Sequence, residues 1–180
     1  IERLIVATNV NDILHRALSA GDYSTGSVTP TAAPSMDIQV SSNFERLLFD
    51  LEGRDGGKTA ARMAGFEQSH KMLLDPAMRD AAAGIFTSHR VSADDMALAM
   101  RWAQQHAGQI IDPHSAIGLS AAQNADLDPA VPVVTLATAH PAKFPDAVER
   151  ATGVRPSLPR RVGDLFDREE KYTKLAGDYD

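Results

Sequence analysis

Short apolar runs alternate with stretches of helical spacing along most of this chain. The run "RLIVAT" (3–8) sits between polar residues and predicts a strand. Directly after it, Ile13, Leu14, Ala17 and Leu18 recur at helical intervals. Asn11 or Asp12 is placed to cap that helix, and Gly21 lies just past its end. A strand that feeds straight into a helix start is half of a βαβ unit. From Gly21 to Asp37 more than half the residues are Gly, Ser, Thr or Pro, and no period appears. A loop of that length inside a compact domain is usually functional or disordered.

Further along, Phe44, Leu47, Leu48 and Leu51 share one helical face, and Ser42 with Glu45 reads as a capping box. Met63, Phe66, His70, Leu73 and Leu74 carry a helical spacing across 58–74, which Asp75-Pro76 stops before a short helix begins. Ile85, Thr87, His89 and Val91 alternate with their neighbours and predict a strand of about six residues. Ser92 with Asp95 opens another helix, closed by Gly108. Met96, Ala99, Met100, Ala103 and Ala107 lie on its inner face, and Leu98 and Trp102 are expected to widen the buried stripe.

Asp112-Pro113 repeats the cap-then-proline device before "HSAIGLSAAQN", a small-residue helix able to lie close to another backbone. Val131–Thr138 predicts a strand with Pro132 at its edge, followed by a helix with Phe144, Ala147, Val148 and Ala151 inward and Gly153 at its end. Strands alternating with helices predict an α/β fold, an open and largely parallel sheet flanked by helices. Residues 1–154 form the domain portion, with a helical insertion at about 42–110, and 155–180 form a charged, weakly patterned surface tail. There is no internal repeat.

Composition narrows the functional classes. The 180 residues are 43% apolar and 23% charged, an ordinary globular balance. A net charge of −6, with no basic run beyond Arg160-Arg161, argues against a nucleic-acid partner. No apolar run approaches the ~20 residues that span a bilayer. The absence of cysteine removes disulfides, thiol catalysis and Cys-based zinc sites, and fits a cytoplasmic protein. The chain has no initiator Met and enters a strand at once, so it is expected to be the later part of a longer protein.

Candidate chemistry is sparse. Asp55-Gly56-Gly57-Lys58-Thr59 departs from a phosphate loop, because Glu52 stands where the first glycine belongs and a helix precedes it; a flexible helix–helix turn is the expectation. The six histidines show no paired ligand spacing, and no nucleophile elbow occurs. Three junctions share a geometry at or near helix starts: Asn9-Val10-Asn11-Asp12, Asp112-Pro113-His114-Ser115 and Thr138-Ala139-His140. Strand carboxyl ends line the ligand crevice of open α/β sheets, and helix N-termini there suit anions. On these grounds alone, simple capping is the favoured account of each junction.

The words "ATNVND", "PSMDIQVSSNFERLLFDL", "IDPHSAIG" and "TLATAHPAKFPDAVE" occur in an order that resembles the carboxy-terminal part of the threonine synthase family. The likeness runs from about Leu4 to about Gly153. That family lies within the fold-type-II pyridoxal 5'-phosphate enzymes and converts O-phospho-L-homoserine and water to L-threonine and phosphate. The resemblance implies that this chain is the cofactor-side portion of such an enzyme, with Thr138 presenting its hydroxyl to the cofactor's pyridine nitrogen.

It also implies cleft positions for Asn9, Asn11 and Asp12 and for Asp112, His114 and Ser115. Asp37 and Ser42 flank the end of the long loop, which could close as a lid. His140 is either a cleft residue or a ring bonded to the turn's backbone. The family's Schiff-base lysine and its Gly/Asn-rich phosphate loop are not recognisable among Lys58, Lys71, Lys143, Lys171 and Lys174 or elsewhere in the chain. The resemblance therefore implies no catalytic residue in this chain, and a partner in the missing amino-terminal half. Two alternatives stay open: a non-catalytic α/β binding module on the same scaffold, and a related pyridoxal-phosphate dehydratase.

Overall fold

The computed structural model describes residues 1–177. Two parallel strands, β1 (Leu4–Thr8) and β2 (Phe86–Arg90), pair in register from Leu4 opposite Phe86 to Thr8 opposite Arg90. Between them run α1 (Ile13–Ala20), α2 (Phe44–Leu51), α3 (Gly56–Ser69) and α4 (Pro76–Ala83). After β2 come α5 (Ala93–Ala107), α6 (Pro113–Asn124) and α7 (Pro145–Thr152). The architecture is α/β with a parallel sheet. No described helix is long and apolar enough to cross a membrane.

Two apolar clusters form the core. The first gathers Ile13, Ala17, Tyr23, Phe44, Leu48, Phe66, Met72, Leu74 and Met78. The Tyr23 ring stacks on Phe44 at 4.3 Å between centroids, and burial pushes its phenol above the ordinary value. The Tyr23 hydroxyl stays satisfied, since it accepts the Ser41 N–H at 2.8 Å and donates to the Ser41 carbonyl. The second cluster joins Val91, Met96, Ala99 and Met100 to Ala116, Ile117, Ala121 and Val148. Ile5 and Ala7, alternate residues on one face of β1, pack against it.

Several expectations are met by local chemistry. Ser92 and Asp112 cap α5 and α6 with their side chains, and Asp55, read in the sequence as part of a turn, caps α3 in the same way. Gly21, Gly108 and Gly153 end α1, α5 and α7 in left-handed conformation. Asp55 accepts from the N–H groups of Gly57 and Lys58, so the two glycines lie in the first turn of α3 and no flexible turn exists there.

Elsewhere the structure differs. Ser42 and Glu45 make no capping box: Asn43 stands at the start of α2 without a side-chain cap, while Phe44 and Arg46 N–H groups bond the Ser41 and Asn43 carbonyls. The helix expected to reach Leu74 stops at Ser69. His70 turns left-handed, and the following residues pair with 21–25 through Thr25 N–H to His70 O, Tyr23 N–H to Met72 O and Leu74 N–H to Gly21 O. Met72 and Leu74 are thereby buried and Leu73 exposed, a period of two that the helical reading missed.

Leu98 and Trp102 do not widen the buried stripe of α5, and Ala107 is exposed too. They lie outside the face made by Met96, Ala99, Met100 and Ala103, which α6 and α7 cover. Ile85 precedes β2 and is exposed, so the alternation expected to begin there fails.

Val131–Thr138 forms no strand, because a ladder needs a neighbour and none lies beside this run among the described residues. Val133, Val134 and Leu136 are left exposed. The close approach at α6 is to a side chain and not to a backbone: a Cβ on Gly118 would meet the Thr135 methyl at 3.2 Å. Residues 155–177 contain only two single 3-10 turns and are mostly exposed.

Two outcomes test this packing. Gly21 has φ +77°, and a Cβ there would stand 2.6 Å from Arg79 Cδ and 3.2 Å from the Leu74 carbonyl. Gly108 has a similar φ, +61°, with open space around it. Gly21→Ala should therefore destabilise by more than the ~1–2 kcal/mol that left-handed backbone alone costs Gly108→Ala, as read by urea unfolding.

Glu52, whose side chain is only 7% exposed, bonds Arg62 and Thr59 at 2.7 Å each. Burial pushes its carboxyl up, but those bonds outweigh it and hold the group below the usual carboxylate range. A lowered folded-state pKa stabilises above the unfolded value of about 4.3, and that contribution disappears as pH falls through the folded value. Glu52→Gln should flatten the acid limb of the stability–pH curve and lower stability at neutral pH.

Candidate functional site

The carboxyl ends of β1 and β2 open into a cleft of about 480 Å³. Asn9 and Val10 follow β1 into it, Val91–Ala93 follow β2, and residues 29–32 of the long loop form another wall. This is the position where open α/β sheets bind ligands. Of the expected site residues Asn9 lines this cleft, and the full set divides into two bonded groups and three outliers.

The first group holds the loop. Asn9 Nδ2 donates to Asp37 Oδ1 at 2.7 Å and to Thr31 Oγ1 at 3.0 Å. Asn11 Nδ2 donates to Asp37 Oδ1 and the Thr29 carbonyl, while its own Oδ1 accepts the Thr29 N–H at 2.8 Å. The Asn9 Oδ1 accepts the Asn11 backbone N–H. Asp37 also takes both the backbone N–H and the hydroxyl of Thr31. Asn9 and Asn11 are buried, and their amide groups are taken up within the protein. They hold residues 29–37 against the end of β1.

The second group centres on Asp112, which is fully buried at the start of α6. Its carboxylate accepts the backbone N–H groups of His114 and Ser115, the His114 ring Nδ1–H at 2.8 Å and the Ser115 hydroxyl. Since His114 Nε2 accepts the Ser35 N–H at 3.2 Å, the neutral ring carries its proton on Nδ1. The Ser115 oxygen in turn accepts the Thr138 N–H at 3.1 Å. Phe144 packs its ring on His114, with centroids 4.7 Å apart.

Thr138 is exposed, and its hydroxyl has no hydrogen-bond partner among the described residues. The two groups meet through one turn, because Asp37 grips one end of the segment 31–37 and His114 holds Ser35 within it.

The remaining residues lie apart. Asp12 pairs with Arg16 at 3.0 Å and Arg90 at 3.2 Å and caps nothing with its side chain. Ser42 is exposed and belongs to neither group. His140 accepts the Ala142 N–H at 3.2 Å, capping the 3-10 turn Pro141–Lys143. All five lysines are exposed. Among the described residues no cluster of His, Asp and Glu could hold a metal ion.

Sequence reasoning missed Thr29, Thr31, Ser35 and Phe144. The first three sit in a stretch without period, where nothing local marks which hydroxyl or amide turns inward.

Asp37→Asn replaces one of the two acceptor oxygens by N–H₂, so either the Thr31 backbone N–H or the donors from the Thr31 hydroxyl, Asn9 and Asn11 lose their acceptor. It should loosen residues 29–37 by ~1–3 kcal/mol, seen as faster amide exchange there with β1–β2 protection unchanged.

A family model described as "Threonine synthase, C-terminal" matches residues 115–180. The threonine synthase of Pseudomonas aeruginosa is 45% identical over 179 residues, covering 99% of this chain and 38% of its own length. That of Saccharomyces cerevisiae is 36% identical over 168 residues, covering 84% of this chain and 33% of its own length. Among solved structures, a PLP-bound threonine synthase from Brucella melitensis superposes with a TM-score of 0.91 at 46% identity, over 97% of this chain and 38% of that one. The yeast threonine synthase gives 0.87 at 34% identity, over 94% of this chain and 38% of that one. The chain thus spans well under half the length of the relatives it matches. It belongs to the threonine synthase family and corresponds to the carboxy-terminal portion of that family's members.

Proposed function

We propose that this chain is the carboxy-terminal portion of a pyridoxal-phosphate-dependent threonine synthase, a lyase acting on a phosphate ester. The reaction takes O-phospho-L-homoserine and water to L-threonine and phosphate. In this reading residues 1–154 complete a catalytic domain with an amino-terminal portion, and 155–180 form a surface tail. The amino-terminal portion supplies the lysine that holds the cofactor. None of this chain's five lysines stands in the family's cofactor-lysine context, which supports that division.

The observation that carries the reading is Thr138. Its backbone N–H is held by Ser115, while its hydroxyl is uncommitted and exposed. A hydroxyl fits the pyridine nitrogen of the cofactor, because it can donate to a neutral ring nitrogen, whereas a carboxylate there would hold the ring protonated. The bound cofactor supplies an electron sink for proton removal at Cα and Cβ and for phosphate loss from Cγ, before water adds at Cβ.

This chain's own residues tune and enclose. Thr138 sets the ring nitrogen's charge. Asn9, Asn11 and Asp37 hold the 29–37 loop at the crevice, where it excludes water. Asp112, His114 and Ser115 support these walls from inside. Asp12, Ser42 and His140 have roles in the scaffold or surface rather than at the substrate.

In the full-length protein, Thr138→Ala should lower turnover of O-phospho-L-homoserine about ten- to hundredfold while cofactor absorbance is retained. Near-normal turnover in that variant would overturn the reading.

A further inference from the structure

The Asp112 group suggests a device that acts on Thr138 without touching the reacting atoms. Thr138 lies in a run that has no ladder partner among the described residues and whose neighbours Leu136 and Ala137 are exposed. One bond ties its backbone to the folded body: the N–H to Ser115 Oγ contact. That oxygen meets Thr138 as an acceptor because its proton is committed elsewhere, to the Asp112 carboxylate. Asp112 is wholly buried and has donors on both oxygens, so it has no freedom to release Ser115.

We propose that Ser115 is a positioning residue for Thr138. The buried Asp112 carboxylate fixes the direction of the Ser115 hydroxyl, and the Ser115 oxygen fixes the Thr138 backbone, so that the Thr138 hydroxyl is held ready for its partner. This rests on the reading of Thr138 as the residue that faces the cofactor ring. Helix capping alone does not account for the arrangement, because the Ser115 backbone N–H already supplies the cap contact and the hydroxyl makes a separate one. His114 uses the same carboxylate to hold Ser35, so the loop wall and the Thr138 wall share one anchor.

The test uses the full-length protein with Ser115→Ala, Ser115→Thr, Thr138→Ala and the Ser115→Ala/Thr138→Ala double variant. Amide hydrogen exchange resolved at Thr138 in cofactor-free protein is the readout that does not depend on activity. Ser115→Ala should speed exchange at Thr138 about five- to tenfold, with β1 and β2 unchanged, and Ser115→Thr should restore protection.

In the loaded enzyme, Ser115→Ala should lower kcat by a similar factor with KM little changed. The double variant should turn over no more slowly than Thr138→Ala alone. If Ser115→Ala does not fold, Ser115→Cys, close in size but weak as donor and acceptor, carries the same readouts.

Unchanged exchange at Thr138 in Ser115→Ala overturns the inference and leaves the cofactor reading intact. Additive losses in the double variant also overturn it, because Ser115 would then act by another route. A Thr138→Ala enzyme with normal turnover overturns the cofactor reading instead.

Discussion

The buried Asp112 carboxylate is the constraint from which the site region is organised. A carboxylate without solvent is costly unless each oxygen is bonded. Here the start of α6 supplies two backbone N–H groups, and the side chains of His114 and Ser115 supply the other donors. The helix N-terminus adds a favourable field for the same charge. Once His114 and Ser115 are spent on Asp112, their remaining atoms can only accept. They accept backbone N–H groups from two segments far away in sequence, Ser35 and Thr138.

The long loop is built on the same logic. Asp37 lies at its end and collects neutral donors from Asn9, Asn11 and Thr31. No cation pairs with it among the described residues, so the clamp is set by hydrogen-bond geometry. The loop is therefore ordered by the residue pair that leaves β1. Because β1 is fixed by β2 and by the second apolar cluster, the loop inherits its position from the sheet.

What could be seen in the sequence follows from how local each interaction is. The caps at Ser92 and Asp112 and the glycine stops at Gly21, Gly108 and Gly153 involve groups within a few residues, and their patterns predicted the helix ends. Residues 70–74 read as helix because their spacing allowed it, yet pairing with 21–25 won, a contact no local window contains. Val131–Thr138 read as a strand on composition, but a strand is a relation between two segments, and the second is not among the described residues. Asn9, Asn11 and Asp37 were visible as polar residues at a crevice. Their mutual bonds, which make them loop holders, were not.

These commitments bear on the chemistry. Asn9, Asn11, Asp37, Asp112, His114 and Ser115 spend polar atoms on one another, and a group that is already saturated has little left to offer a substrate. Thr138 stands apart, with its backbone tied and its hydroxyl free. A single donor tunes a ring nitrogen strongly only where water is kept out, because the same bond in bulk solvent competes with equally good ones. Around Thr138 this chain offers Val133, Val134 and Leu136, apolar and exposed. That surface has the chemistry to be covered, and its covering would supply the dry surroundings that the proposed role of Thr138 requires. The positioning of Thr138 and the exclusion of water from it are then two separate tasks, the first built into this chain through Asp112 and the second shared with whatever lies against the 133–138 run.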